Sequence, residues 1–329
     1  MTQKGRIGYI DLAKFIAVFL MVLCHSNLHC KYINVPIYAF HMPFFFFVSG
    51  YITGLNKGRT FKEEIELKIK KIIIPYLLFA LIYSSDTSAS GLLSIFWGSR
   101  NSLLSSGSFT PLWFLPCYFC ASIIYFLIKK VQHRKIIYYS LLTICGLLGF
   151  LTRDISLYAN FGMPFSFNIA LTGVLLMILG QLYREYIDGL KYSTLFGVWG
   201  GVIAIYLSFF NTPPSLDPMI NHIEMSQASY GCYVFFLLNA SLLSVGLLSL
   251  CKGITKSKSV ILHPFMYLGN HSLVVLCTHR YGLMIFPYLF KPIKSCPLVY
   301  SLAIALCTVA LSYLIIKIIL KFIPSLVGR

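Results

Sequence analysis

This sequence predicts an all-α polytopic membrane protein of about ten spanning helices, on three observations. The chain is 57% hydrophobic and only 11% charged, with a mean hydropathy of +0.77, whereas a soluble domain carries about a quarter charged residues. Its apolar stretches are continuous rather than alternating, so helices and not barrel strands must satisfy the backbone in lipid. Lys and Arg collect in the loops of one side, as orienting charge does. The net charge of +17 therefore reports topology and anionic membrane lipids as partners, and no nucleic acid is expected.

Taking the chain in order, ten stretches read as spans: 9–28, 38–56, 70–84, 110–128, 136–151, 167–183, 193–210, 230–250, 264–289 and 297–320. The first is too long for a cleavable signal peptide and lacks a small-residue cleavage site. The second opens on Phe40-His41-Met42-Pro43 and closes on Val48-Ser49-Gly50-Tyr51. Its four phenylalanines read as packing or lipid-facing bulk, and Ser49 and Gly50 are small enough to admit another helix. The third and fifth are short. The fourth opens on Thr110-Pro111-Leu112-Trp113, a tryptophan at a membrane boundary. Pro75, Pro116 and Pro287 are expected to kink their helices. The loops 84–108, 152–166 and 211–229 are longer and less charged. The last, with Asn211, Pro213, Pro214, Asp217, Glu224 and Gln227, is polar enough to meet a sugar. No soluble domain follows the tenth span, so 1–329 reads as one membrane domain.

With the N-terminus inside, one side holds 20 of the 27 Lys and Arg, from Lys4 and Arg6 to Lys321 and Arg329. The other holds five: Lys31, Arg100, Arg153, Lys291 and Lys294. This split predicts both termini in the cytoplasm and an even number of spans in the cell membrane. The amphipathic segment 57–71 reads either as a surface helix on anionic lipid or as a basic rim drawing in an anionic cytoplasmic substrate. The ten cysteines form no framework. Cys117 and Cys120 have the CxxC spacing without a second pair, so no metal is expected, and Cys30 and Cys296 are the one conceivable bridge.

The remaining two basic residues, Lys14 and Arg280, lie inside spans. Ionisable groups at that depth are functional candidates by default. Lys14 and His25 are separated by ten residues, which sets both on one helix face about 16 Å apart. His25 suits proton transfer or nucleophilic attack, against a structural role bonding a neighbouring helix. Asp11, three residues before Lys14, is positioned to pair with it. His41, near the far end of the first helix, Ser49, Trp113, His279 and Arg280 are supporting candidates, each with a plain packing or interfacial alternative. No Walker loop, HExxH or Ser-His-Asp order is present.

Five motifs in order resemble the membrane-bound acyltransferase family 3, and within it the fucose 4-O-acetylase-like branch. They are Lys14 and His25 with Ile10-Asp11-Leu12-Ala13 before them; the run Ala39 to Tyr51; basic residues before Ile74-Pro75-Tyr76; Pro111 to Leu115; and Leu268-Gly269-Asn270-His271-Ser272-Leu273 leading to His279. The resemblance implies an O-acetyltransferase that moves acetyl from cytoplasmic acetyl-CoA to a hydroxyl of a cell-surface glycan or its lipid-linked precursor. Acetyl-CoA would be a co-substrate, with no bound cofactor. His25 would be the essential histidine, as general base or transient acyl carrier, and Lys14 the essential basic residue on the donor side. Arg280, His41 or Trp113 would line the acceptor side. Phe15 replaces a glycine common in the family, and the hydrolase-like domain some members append is lacking. The rival reading from the intramembrane charges is a transporter or flippase for a lipid-linked glycan.

Overall fold

The computed structural model describes residues 7–26, 28, 30–53, 58–158, 160–213, 222–257 and 259–324. Lys4, Arg6, Lys57, Lys258 and Arg329 of the charge count, with Pro214 and Asp217, lie outside the described residues. Helix α1 (Gly8–His25) is followed after a short link by α2 (Lys31–Thr53). Helix α3 (Phe61–Lys68) starts at a capping box in which Thr60 and Glu63 satisfy each other's backbone N–H. It passes through a π turn at Ile69–Ile73 into α4 (Ile74–Tyr83). The short helices α5 (Ala89–Trp97) and α6 (Arg100–Ser105) are capped by Ser88 and Ser99. A 3-10 turn, Thr110–Trp113, leads into α7 (Phe114–Lys130). There follow α8 (Lys135–Leu151), α9 (Arg153–Tyr158), α10 (Phe167–Leu182) and α11 (Ser193–Leu207). The chain ends with α12 (Tyr233–Ile254), α13 (His263–Asn270), α14 (Ser272–Leu289) and α15 (Pro297–Phe322). Among the described residues the only β pairing is one isolated bridge, Glu224 with Ser229.

The all-α polytopic class stands, and the span count changes. Seven described helical stretches are long and apolar enough to cross a membrane, and a bent pair makes an eighth. Of the ten expected spans, 136–151 is the 17-residue α8, and 70–84 is the end of a helix that begins among charges at Phe61. The ninth is not one straight helix: α13 and α14 are bent by 86° at His271. There the backbone leaves the helical region (φ −109, ψ 25), and the ring Nδ1 lies 2.8 Å from the Tyr267 carbonyl. The bend lets α13 lie against α1. A Cβ on Gly269 would stand 1.7 Å from the Asp11 carbonyl oxygen, so only glycine permits that approach. Pro116 sits in the first turn of α7 and starts that helix rather than kinking it, whereas Pro75 lies just after the π turn within the helix that begins at Phe61. Pro287 is inside α14, as are Pro36 and Pro43 inside α2.

Helix α2 is the centre of the packing. Phe44, Phe46 and Phe47 are buried, so this part of the aromatic run fills the core and does not face lipid. Gly50 admits α10, as its small size predicted: a Cβ there would lie 1.7 Å from the Met177 carbonyl oxygen. Gly180 returns the contact, with its Cβ position 1.9 Å from the Phe47 carbonyl. A branched side chain cannot fit between two backbones. Gly50→Val is therefore expected to cost more than the ~1–3 kcal/mol of ordinary overpacking. The check is folded protein in detergent by thermal unfolding, and a wild-type melting temperature would contradict this packing. All ten cysteines are free, so the Cys30–Cys296 bridge is not formed.

Candidate active site

Helix α1 carries Lys14 in its first half and His25 as its last residue. The two open into different cavities. Lys14 lines a cavity of about 720 Å³ at the start of α1, and His25 lines one of about 230 Å³ at the far end. Between them the stripe is filled by buried Val18 and Met21. The shared face predicted from spacing is real, but it is not one continuous polar channel.

The larger cavity is basic. Lys14, Arg59, Lys68, Lys71, Lys129 and Lys130 line it against two carboxylates, Glu64 and Glu185. Lys68 and Lys71 come from the segment that the sequence left between a lipid-surface helix and a substrate rim, and both face this cavity. Glu64 is already engaged, with Arg59 at 3.1 Å and Lys68 at 3.8 Å. Lys14 Nζ stands 3.9 Å from Asp11 Oδ1, the pairing expected from their spacing. Ser49 lines the same cavity and accepts a hydrogen bond from the Tyr118 hydroxyl at 2.8 Å. The Lys68 ammonium lies 5.2 Å from the centre of the Tyr118 ring. Ser272 and Leu273, the first turn of α14, also face the cavity, which adds the positive end of a helix dipole to its wall. The break at His271 is what turns that helix end inward.

At the far end, two sets of contacts hold the His25 end of α1. The next residue, Ser26, exchanges hydrogen bonds with Ser301 of α15, each hydroxyl donating to the other's carbonyl at 3.1 Å. His25 Nδ1 lies 3.2 Å from His279 Nε2 on α14. His279 is fully buried, and its Nδ1 lies 2.8 Å from the Leu276 carbonyl. A carbonyl only accepts, so in the neutral ring His279 Nδ1 carries the hydrogen and Nε2 the lone pair. His25 Nδ1–H must then donate to His279, which leaves the lone pair of His25 on Nε2. Leu276 also lines the basic cavity.

The small cavity gathers residues that the sequence scattered over five elements. His41 is buried, with Nδ1 2.9 Å from the Ile37 carbonyl and its ring edge-on to Tyr38. Trp113, Thr110 and Pro111 enter from the 3-10 turn before α7. Arg100 enters from the first turn of the short α6, and Glu224 from the loop before α12. Arg280 does not join them. It lies over the rings of Tyr83 and Phe109 at 5.2 and 5.4 Å and lines neither cavity. Phe109 in turn packs on His279, so Arg280 stands a layer behind the site, with the aromatic partners an intramembrane cation needs.

Tyr118, Tyr38 and Arg100 were not singled out from the sequence as site residues, and Glu224 was read only as one of several polar residues in a loop able to meet a sugar. Burial alone would raise its carboxyl. The neighbouring His222, the hydrogen bond from Ser226 and the positive charge of Arg100 outweigh that and bring it down to about 2.

A helical bundle with seven or eight described stretches able to cross a membrane, holding a basic chamber and a polar one, is a polytopic membrane protein. The family described as an acyltransferase domain (Acyl_transf_3) matches residues 7–317 of the chain. The chain belongs to this family, and it is a membrane acyltransferase. Comparison with curated proteins finds no match.

Proposed function

We propose that the chain is an O-acetyltransferase of the cell membrane, moving acetyl from cytoplasmic acetyl-CoA to a hydroxyl of a cell-surface glycan or its lipid-linked precursor. The observation that carries this reading is the division of labour along α1. Six cations at one end suit the phosphates of a nucleotide-bearing donor. A histidine with a free Nε2 lone pair stands at the other, beside a cavity open to a hydroxyl. The acceptor hydroxyl gives its proton to His25 Nε2 as its oxygen bonds to the thioester carbonyl carbon. The C–S bond then breaks, and the sulfur leaves with the proton from His25. His25 and Lys14 are the catalytic pair of this account. Asp11 orients Lys14, His279 fixes the tautomer of His25, Ser49 lines the donor path, and His41 and Trp113 line the acceptor side.

Membranes containing the chain, given acetyl-labelled acetyl-CoA, are expected to place label in the glycan fraction as CoA thiol is released. Glycan crossing the membrane with no label incorporated would support the transporter reading instead. The charge split further implies that the basic chamber faces the cytoplasm, with both termini on that side. Reporters fused after Gln132 are expected to read inside and those after Phe161 outside, and the reverse would overturn the topology.

A further inference from the structure

We infer that Glu224 is the residue that positions the acceptor, and that the acceptor unit entering the small cavity is a single uncharged, hydroxyl-rich ring. This rests on the acyltransferase reading and adds to it the chemical class taken at the acceptor end. The loop around Glu224 is built, not trailing. Glu224 and Ser229 exchange backbone hydrogen bonds at 3.1 Å in both directions. Ile223, Met225, Ala228 and Tyr230 are buried. Asn211 ties the two ends of the segment together, its side chain donating to the Tyr230 carbonyl at 3.1 Å and accepting from Cys232 N–H at 2.8 Å.

Within that frame the carboxylate is only partly satisfied by protein. Oε1 accepts from the Ser226 hydroxyl, Oε2 stands 3.7 Å from His222 Nε2, and 24% of the side chain remains exposed in a cavity that His25 also lines. An ionised carboxylate only accepts hydrogen bonds, so its occupant must donate them. Arg100, in the same cavity, opposes a cationic occupant, and Glu224 itself opposes an anionic one. A neutral hydroxyl donor remains. Tyr38 and Trp113 also line the cavity and give it aromatic walls. The 230 Å³ of space corresponds to about eight waters, enough for one sugar ring and not for two. A carboxylate gripping neighbouring hydroxyls would turn the reacting one toward His25 Nε2.

The test is steady-state transfer in membranes, with acetyl-CoA as donor and three probe acceptors: methyl glucopyranoside, methyl glucosaminide and methyl glucuronide. The wild type is expected to prefer the neutral pyranoside. Glu224→Gln is expected to raise the pyranoside KM about 10- to 100-fold, with the acetyl-CoA KM unmoved. Glu224→Asp should fall between, at the same protein level. An unchanged pyranoside KM in Glu224→Gln, or an equal rise in the acetyl-CoA KM, would overturn the assignment. Wild-type protein that releases CoA thiol from acetyl-CoA but acetylates no pyranoside also overturns it and leaves the acyltransferase reading standing. Failure to cleave acetyl-CoA at all would contradict that reading itself.

Discussion

His25→Gln is expected to lower acetyl transfer by about 10²–10⁴ while the protein reaches the membrane in normal amount. The side chain makes one identified hydrogen bond, Nδ1 to His279 Nε2 at 3.2 Å. A glutamine amide still offers an N–H to that lone pair, and the mutual Ser26–Ser301 hydrogen bonds that anchor the end of α1 are untouched. What glutamine lacks is a nitrogen that accepts a proton and returns it. A merely structural His25 would tolerate the change. Glycan O-acetylation is to be measured beside protein level. Near-normal acetylation would remove His25 from the chemistry and leave His41, which lines the same cavity, as the remaining base.

Lys14→Ala is expected to raise the KM for acetyl-CoA about 10- to 100-fold, the range for losing a charged hydrogen-bond partner, with a much smaller change for the acceptor. Lys14 lines the basic chamber and not the one His25 lines. Lys14→Arg keeps the cation and the partner Asp11, so it should retain much of the activity. Five other cations line the chamber, which is why the expected loss is in affinity rather than complete. All the loss appearing in acceptor KM would place Lys14 on the wrong side of the reaction.

Much of this site was legible in the sequence because helices are periodic. The ten-residue gap between Lys14 and His25 set both on one stripe, the Asp11 spacing gave the ion pair, and small Gly50 gave the close helix contact. What periodicity does not carry is which helix lies beside which. His25 and His279 are 254 positions apart, and only the packing of α14 against α1 makes them one unit. The same holds for Glu224, which reaches the cavity from a loop, and for Arg100, from a six-residue helix too short to show a repeating pattern. The His271 break was hidden because its flanks are apolar and read as one continuous span. Arg280 stood out because it is charged and deep, and the rings of Tyr83 and Phe109 that it lies over are invisible to spacing.

The central claim is that donor and acceptor are served from opposite ends of α1. Sealed vesicles of both orientations, supplied externally with membrane-impermeant labelled acetyl-CoA, test it most directly. Transfer to glycan in inverted vesicles, which expose the cytoplasmic face, and little in right-side-out ones, is the result this architecture predicts. Equal transfer in both orientations, or transfer only in right-side-out vesicles, would contradict it.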